Sequence, residues 1–183
     1  MMETERLVLR RWHDRDREPY AALSADPAVM DWLGGKLFTR EQTDAQIDSL
    51  QAELDDLGHG CLAIQRQSDG AFLGTIALAP IDLKPPAPSG VEIGWRLARH
   101  AWGHGYATEA AAAVLMDGLD RVGLAEIVSF TAHSNVRSQA VMGRIGLHRR
   151  PDLDFDHPNL AADHPLRPHV VFSTRPASYN PTP

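Results

Sequence analysis

Residues 91–110 constrain the fold of this chain more than any other segment, because they follow the pattern of a strand, a glycine loop and a helix. Before the loop, apolar residues alternate with polar or small ones from Val91 to Leu97, which is the period of a strand with one apolar face. After the loop, apolar residues recur every three or four positions from Ala111 to Val122, as on one helix face. Gly103 and Gly105 let the backbone turn and place no Cβ in the way of a ligand.

The start of such a helix is suited to binding an anion. Its first N–H groups have no partner within the helix, and they lie at the positive end of the helix dipole. The segment therefore predicts a pyrophosphate cradle, with a plain glycine-packed connection as the structural alternative. A P-loop is excluded because no Lys follows the glycines, and a dinucleotide fingerprint lacks its third glycine, since Thr108 stands there.

Length and composition limit the class of protein. The 183 residues are expected to form a single domain, with a disordered tail from about residue 175. No run of 18 apolar residues and no apolar leader is present, so we expect neither membrane association nor export. The single cysteine, Cys61, fits a reducing cytoplasm. A net charge of −6 argues against nucleic acid as a partner.

Periodicity along the chain predicts ten elements in the order β-α-α-β-β-β-α-β-α-β, which is an α+β or mixed α/β domain. Thr39 and Gln42 form a capping box for a helix that runs to Leu57, with Ile47, Leu50, Leu54 and Leu57 as its buried stripe. Asp69-Gly70 indicates a hairpin turn. Further strands are predicted over residues 6–12, 61–67, 72–79, 126–132 and 169–173, further helices over 16–24 and after Asn135, and proline-rich loops over 80–90 and 151–168.

Two motifs resemble those of a known superfamily. The run from Trp102 to Ala107 resembles the [QR]-x-x-G-x-[GA] loop of the GNAT acyl-CoA-dependent N-acyltransferases, nearest to the RimJ/RimL type, in which an aromatic residue often takes the first place. Asn135 and Ser138, followed by residues 144–147, resemble the N-x-x-S/A…K-x-G-F element of that superfamily. The likeness extends to about residue 173. It implies a central, mostly antiparallel twisted sheet with helices on both faces and splayed middle strands that hold acyl-CoA.

The resemblance also implies a co-substrate, its ligands and an acceptor. Acetyl-CoA is expected, with its acyl carbonyl against backbone N–H groups of the central strand and its pyrophosphate on the glycine loop. The implied binding residues are Trp95, Leu97, Trp102, Gly103, His104, Gly105, Tyr106, Ala107, Thr108 and Asn135. The expected acceptor is a small-molecule amine or a protein N-terminus, and a homodimer is among the expected assemblies.

Acyl transfer to an amine requires removal of a proton from the ammonium, stabilisation of the oxyanion and a proton for the leaving thiolate. Many family members use a tyrosine as the acid, but Met142 stands at that position, so Ser138 is the substitute candidate. Glu92 is the candidate base, with three alternatives: it faces solvent, it pairs with Arg96, or water relays take its place. Glu109 is expected to compensate the helix dipole.

Other classes of function remain as alternatives. A non-catalytic acyl-CoA-binding or regulatory module would keep the cradle and lack a working acid and base, as Met142 allows. A dinucleotide-dependent oxidoreductase is disfavoured by the missing third glycine and the mixed strand order. Cys61 has no recognisable His or Asn set around it, so we expect no covalent nucleophile. The late histidines His157, His164 and His169 show no metal-binding spacing, so no metal is expected.

Overall fold

The computed structural model describes residues 1–175. The predicted tail of about residues 175–183 lies, apart from Arg175, outside the described residues. None of the helices over residues 1–175 is long and apolar enough to cross a membrane.

The element order confirms the predicted α+β arrangement, with short additional strands. The helices are α1 Arg17–Ser24, α2 Pro27–Met30, α3 Arg40–Leu57, α4 Tyr106–Asp120 and α5 Val136–Arg144. The strands are β1 Met2–Glu3, β2 Leu7–Arg10, β3 Cys61–Arg66, β4 Phe72–Pro80, β5 Val91–Leu97, β6 Val128–Ala132, β7 His148–Arg149, β8 Phe155–Asp156 and β9 Pro168–Ser173. They form one sheet in the order β1-β2-β3-β4-β5-β6-β9-β7, with β8 also on β9. Among the strands of residues 1–175, only β5 and β6 run parallel to each other.

Local sequence signals account for most element boundaries. Thr39 caps α3 and forms the predicted capping box with Gln42, while Gly58 ends the helix in the left-handed region at φ 69°. The buried stripe of α3 ends earlier than expected, since Leu57 is 45% exposed. Residues 151–168 were expected to be loop only, but they include β8, which pairs with β9 because extended residues there lie along its free edge.

Two apolar layers lie on opposite faces of the sheet. One contains α4 and α5, with Ile93 and Leu97 of β5 pointing into it. The other contains α1, α2 and α3, with Tyr20 and Cys61 among its members. Because side chains alternate along a strand, Glu92, Gly94 and Arg96 face the second layer. The central strand therefore presents its polar side chains to the α1–α3 side of the sheet.

A buried ion pair was not foreseen. Arg10 is 5% exposed and binds Asp16 through both terminal nitrogens, at 2.6 and 2.8 Å. Burial alone would raise the pKa of Asp16, but hydrogen bonds from Arg10 and His13 outweigh it and lower that pKa. The pair ties the end of β2 to the start of α1, and breaking one partner of such a pair typically costs about 3–5 kcal/mol.

Candidate active site

The middle strands of the sheet separate after a single paired position. Strands β5 and β6 are in register only at Glu92 and Val128. One residue further along, the Ser129 hydroxyl donates to the Ile93 carbonyl at 2.8 Å, so a side chain replaces the next ladder bond. The strands then diverge around a cavity of about 1360 Å³. This is the splay that the resemblance implied.

The divergence leaves backbone groups of β5 without a strand partner. In an antiparallel ladder, alternate residues direct their N–H and C=O groups to one neighbouring strand. Ala98 N–H reaches Leu73 of β4 at 2.9 Å, which shows that the even-numbered residues of β5 bond to that side. The N–H groups of Trp95 and Leu97 therefore point into the gap. Two donors spaced along one strand edge suit a carbonyl that becomes an oxyanion.

The glycine loop lies at one end of the cavity, directly before α4. Gly103 and Gly105 have φ of 77° and 82°, in the left-handed region, where a side chain is strained. A Cβ on Gly103 would meet no atom within 4 Å, so its backbone is open on that side. Glu109 is the first residue whose N–H reaches back to a carbonyl, that of Gly105 at 3.1 Å. Within residues 1–175, the N–H groups from Gly103 to Thr108 have no hydrogen-bond partner, and the loop can thus receive an anion.

Arg6 holds this loop in place from the N-terminal strand region. Its guanidinium donates to the His104 carbonyl at 3.0 Å and lies 4.8 Å above the Tyr106 ring. It also pairs with Glu109 at 2.7 Å, and Thr4 donates to the same carboxylate at 2.6 Å. Partial burial alone would raise the pKa of Glu109, but the bonds from Thr4 and Arg6 outweigh it and lower that pKa. Glu109 is therefore a structural anchor at the helix start.

Helix α5 lines the opposite wall of the cavity. The Asn135 side-chain oxygen Oδ1 accepts from the Ser138 N–H at 3.2 Å, and its side-chain Nδ2 donates to the Thr131 hydroxyl at 3.0 Å. Asn135 is thus the N-cap of α5. The half-buried Ser138 side chain lines the cavity, and Met142 lies one turn further along the helix, 1% exposed. The thioether of Met142 has no proton to donate to a leaving group.

Two arginines on α5 add positive charge to the cavity. Arg137 and Arg144 both line it, and the Arg137 guanidinium lies 5.7 Å from the centre of the Trp102 ring. The Trp102 indole donates to the Leu97 carbonyl at 2.8 Å, which fixes the ring beside the glycine loop. The sequence analysis did not identify Arg137, and it included Arg144 only as part of a motif, with no role in the site. Their spacing of seven residues, two helical turns, is the signal that could have identified a basic face.

Glu92 faces the other side of the cavity, toward α1 and α3. Desolvation by burial raises the pKa of its carboxyl from 4.5 to about 7. No cation lies within 4 Å of it among the residues that the structure describes, so the expected alternative of a pair with Arg96 is not observed. Glu92 still lines the cavity and keeps partial solvent access. A carboxyl with these properties can accept a proton near neutral pH.

Comparison with known proteins identifies the family. Residues 6–148 match the family model of the acetyltransferase (GNAT) domain. The chain belongs to the GNAT acetyltransferase family.

Relatives and solved structures agree with that assignment. The uncharacterised protein YkkB of Bacillus subtilis is 31% identical over 146 residues, or 79% of this chain and 83% of YkkB. The Aspergillus fumigatus FsC-acetyl coenzyme A-N(2)-transacetylase is 30% identical over 80% of this chain and 64% of the relative. The structure of Mycobacterium smegmatis RimJ with CoA-disulfide superposes with a TM-score of 0.71 at 22% identity, covering 91% and 80% of the two chains, and shows a shared fold.

Most of the residues that the sequence predicted to bind acetyl-CoA or to act in catalysis line this cavity. Its lining includes Glu92, Trp95, Leu97, Trp102, Gly103, Gly105, Ala107, Asn135 and Ser138. His104, Tyr106 and Thr108 are not among the residues that line it, and their backbone N–H groups belong to the open loop before α4 and to the first turn of that helix. The binding and catalytic roles of all these residues stay predictions.

The cysteine and histidines take positions that limit their chemistry. Burial raises the pKa of the Cys61 thiol to about 12, so this cavity-lining thiol stays protonated at neutral pH. His133 is exposed and lies outside this cavity. His157 and His169 line its far side with ring centres 4.9 Å apart. Among residues 1–175, no three His, Cys, Asp or Glu side chains are grouped to hold a metal.

Proposed function

We propose that this chain transfers the acetyl group of acetyl-CoA directly to a primary amine within a ternary complex. The main support for this proposal is one cavity that has an anion-binding loop at one end and a carboxyl group at the other. The glycine cradle lies at one end, and the raised-pKa carboxyl of Glu92 lies at the other. Between them, the free N–H groups of Trp95 and Leu97 face the gap.

Each group has a defined task in this reaction. Glu92, directly or through water, takes a proton from the acceptor ammonium, whose pKa is about 10. The amine nitrogen then attacks the thioester carbon, and the N–H groups of Trp95 and Leu97 bind the oxyanion. As the C–S bond breaks, Ser138 supplies a proton to the leaving thiolate. The substrate nitrogen loses its second proton as the amide forms, and that proton returns to Ser138 through water. The products are the N-acetylated amine and CoA with a free thiol.

One observation favours direct transfer over an acyl-enzyme, and a second supports an amine as the acceptor. Cys61 is the only cysteine of the chain, and its raised pKa keeps it a poor nucleophile. The FsC transacetylase among the relatives is named for transfer from acetyl coenzyme A to a nitrogen, which supports an amine acceptor. A protein N-terminus remains a second acceptor class, as the RimJ/RimL likeness implies. Cytoplasmic location and a homodimer are part of the same proposal.

The test combines ligand binding with turnover. Thermal shift with acetyl-CoA, CoA and NAD in parallel should show stabilisation by the first two only. An amine panel assayed by thiol release should then reveal acetyl transfer. Stabilisation by NAD alone would contradict the proposal.

A non-catalytic acyl-CoA-binding module is the second candidate. The buried Met142 favours it, because that position carries no proton donor. Stabilisation by acetyl-CoA without turnover on any amine or N-terminal peptide would support this candidate over the first.

A further inference from the structure

Arg96 is a cavity residue for which the proposed reaction has no use. It belongs to β5 and faces the α1–α3 side, opposite Thr75 of β4. Its guanidinium lines the cavity, yet its Nη1 atom is fully buried and makes no hydrogen bond. Leaving a buried donor unpaired is costly, most of all on a charged group. A guanidinium with a free donor of this kind is consequently suited to bind part of a ligand.

The groups around Arg96 carry no compensating negative charge. Its neighbours are the Cys61 thiol and the Tyr20 hydroxyl, which hydrogen-bonds to the Arg96 guanidinium and donates its own proton to Gln46 at 3.1 Å. Both are neutral at physiological pH, since burial raises the pKa of each. No carboxylate oxygen lies within 4 Å of Arg96 in the part of the chain that the structure describes.

Arg10 shows how this fold treats a buried guanidinium that has a structural role. Its terminal nitrogens meet both carboxylate oxygens of Asp16 and a backbone carbonyl. Arg96 is half-buried, and its enclosed Nη1 atom has no such partner among residues 1–175. The contrast indicates that the partner of Arg96 comes from outside the chain.

The position of Arg96 separates that partner from the CoA phosphates. The glycine cradle opens at the start of α4, whose layer packs on the opposite face of the sheet. Arg96 instead shares its face with Glu92, the only carboxylate among the described residues that line the cavity. The two side chains are four residues apart, so their Cα atoms lie about 13 Å apart along the strand. Gly94 lies between them and leaves room for a small molecule.

We propose that the acceptor is an amine that also bears a carboxylate, which Arg96 binds while the amine is presented to Glu92. This inference rests on the proposed function and assigns its substrate class. A planar guanidinium binds a carboxylate with two parallel hydrogen bonds, which fixes orientation as well as position. Leu33, Leu50 and Trp32 line the same end of the cavity and provide an apolar surface for the rest of the acceptor. The carboxylate is either that of a free amino acid or the side chain of an acidic N-terminal residue.

Matched acceptors test the inference by turnover. L-phenylalanine is compared with L-phenylalaninamide, and a peptide that begins with Asp with the same peptide beginning with Asn. The carboxylate member of one pair should have kcat/KM about 10- to 100-fold higher, as expected for a hydrogen bond to a charged group. If the phenylalanine pair shows the difference in kcat/KM, the carboxylate is that of a free amino acid. If the peptide pair shows it, the carboxylate is the side chain of an acidic N-terminal residue. Equal kcat/KM within both pairs would refute the inference.

Two variants separate binding from folding. Arg96→Met should bring the kcat/KM ratio of the discriminating pair close to one, and Arg96→Lys, which keeps the charge, should restore part of it. Arg99→Met is the matched control, because Arg99 lies outside the cavity lining, pairs with Asp26 at 2.8 Å and has a side chain that is 64% exposed. It should leave the ratio unchanged. If Arg96→Met lowers kcat/KM for both members equally, Arg96 is structural and the inference fails.

A binding measurement keeps this test independent of turnover. In the presence of CoA, N-acetyl-L-phenylalanine and the acetylated Asp peptide should raise the Tm of the wild type, and their uncharged counterparts should raise it less. The difference should vanish in Arg96→Met. Carboxylate-dependent binding without any acetyl transfer would refute the proposed function and leave the role of Arg96 intact. Absence of carboxylate dependence in both turnover and binding would refute the inference itself.

Discussion

Replacing Glu92 with glutamine is the sharpest test of the catalytic proposal, because it removes the base and keeps the shape of the side chain. Burial raises the pKa of Glu92 to about 7, so the wild-type kcat/KM should rise tenfold per pH unit below that value and level off above it. In Glu92→Gln the amine must lose its proton unaided, so kcat/KM should continue to rise toward the ammonium pKa of about 10.

The size of the deficit follows from these two pKa values. An ammonium near 10 and a base near 7 differ by about three pKa units, so the variant should be about 10³-fold slower below pH 7. The deficit should shrink as the pH rises above 7. Acetyl-CoA binding should be unchanged, since Glu92 faces the acceptor side. A pH series of thiol-release rates at saturating acetyl-CoA measures the effect, with the exposed Glu41→Gln as the control.

The same substitution should change stability in a pH-dependent manner. Between the ordinary pKa of 4.5 and the folded value of about 7, the folded protein binds a proton that the unfolded chain has released. Stability therefore falls as the pH rises through this window, by at most about 3 kcal/mol, since water in the cavity screens the charge. Glu92→Gln should escape this loss and gain about 5–10 °C in Tm at pH 8, with no gain at pH 4.

Two results would refute the reasoning about Glu92. A wild-type pH profile and rate in Glu92→Gln would mean that the proton leaves through backbone carbonyls and water. An unchanged Tm at pH 8 would mean that the carboxyl is well solvated in the folded protein and titrates at its ordinary pKa.

Three further substitutions test the cradle, the acid and the sheet. Gly105→Val should abolish the thermal stabilisation of the protein by CoA. Gly123→Val is the control, because Gly123 has a similar left-handed φ of 76° but does not line the cavity, and it should keep that stabilisation. Equal CoA binding by both variants would mean that the pyrophosphate binds elsewhere. Ser138→Ala should lower kcat by about 10²–10³ with little change in acetyl-CoA affinity, and an unchanged kcat would assign the proton to water or the ammonium. Gly74→Ala should lower the free energy of unfolding, measured in urea, by on the order of 3 kcal/mol, because the new Cβ would lie 2.2 Å from the Arg96 carbonyl oxygen. A decrease below ~1 kcal/mol would show that β4 and β5 can move apart to accept the methyl group.

The sequence determined the element order because its signals are local. Alternation, helical spacing, the Thr39 capping box and the Asp69-Gly70 turn each act within a few residues, and the structure confirms the elements they predict. The glycine loop before α4 was found in the same way, since positive φ at Gly103 and Gly105 is a local backbone requirement.

Only the tertiary structure decided which side chains have partners. Arg10 and Arg96 both lie in predicted strands, yet within residues 1–175 Asp16 pairs with Arg10 and no carboxylate lies within 4 Å of Arg96. The pKa of Glu92 follows in the same way from how β5 is covered by α1 and α3 and from the lack of a nearby cation. Desolvation and ion pairing depend on residues far apart in the chain, and strand periodicity carries no information about them.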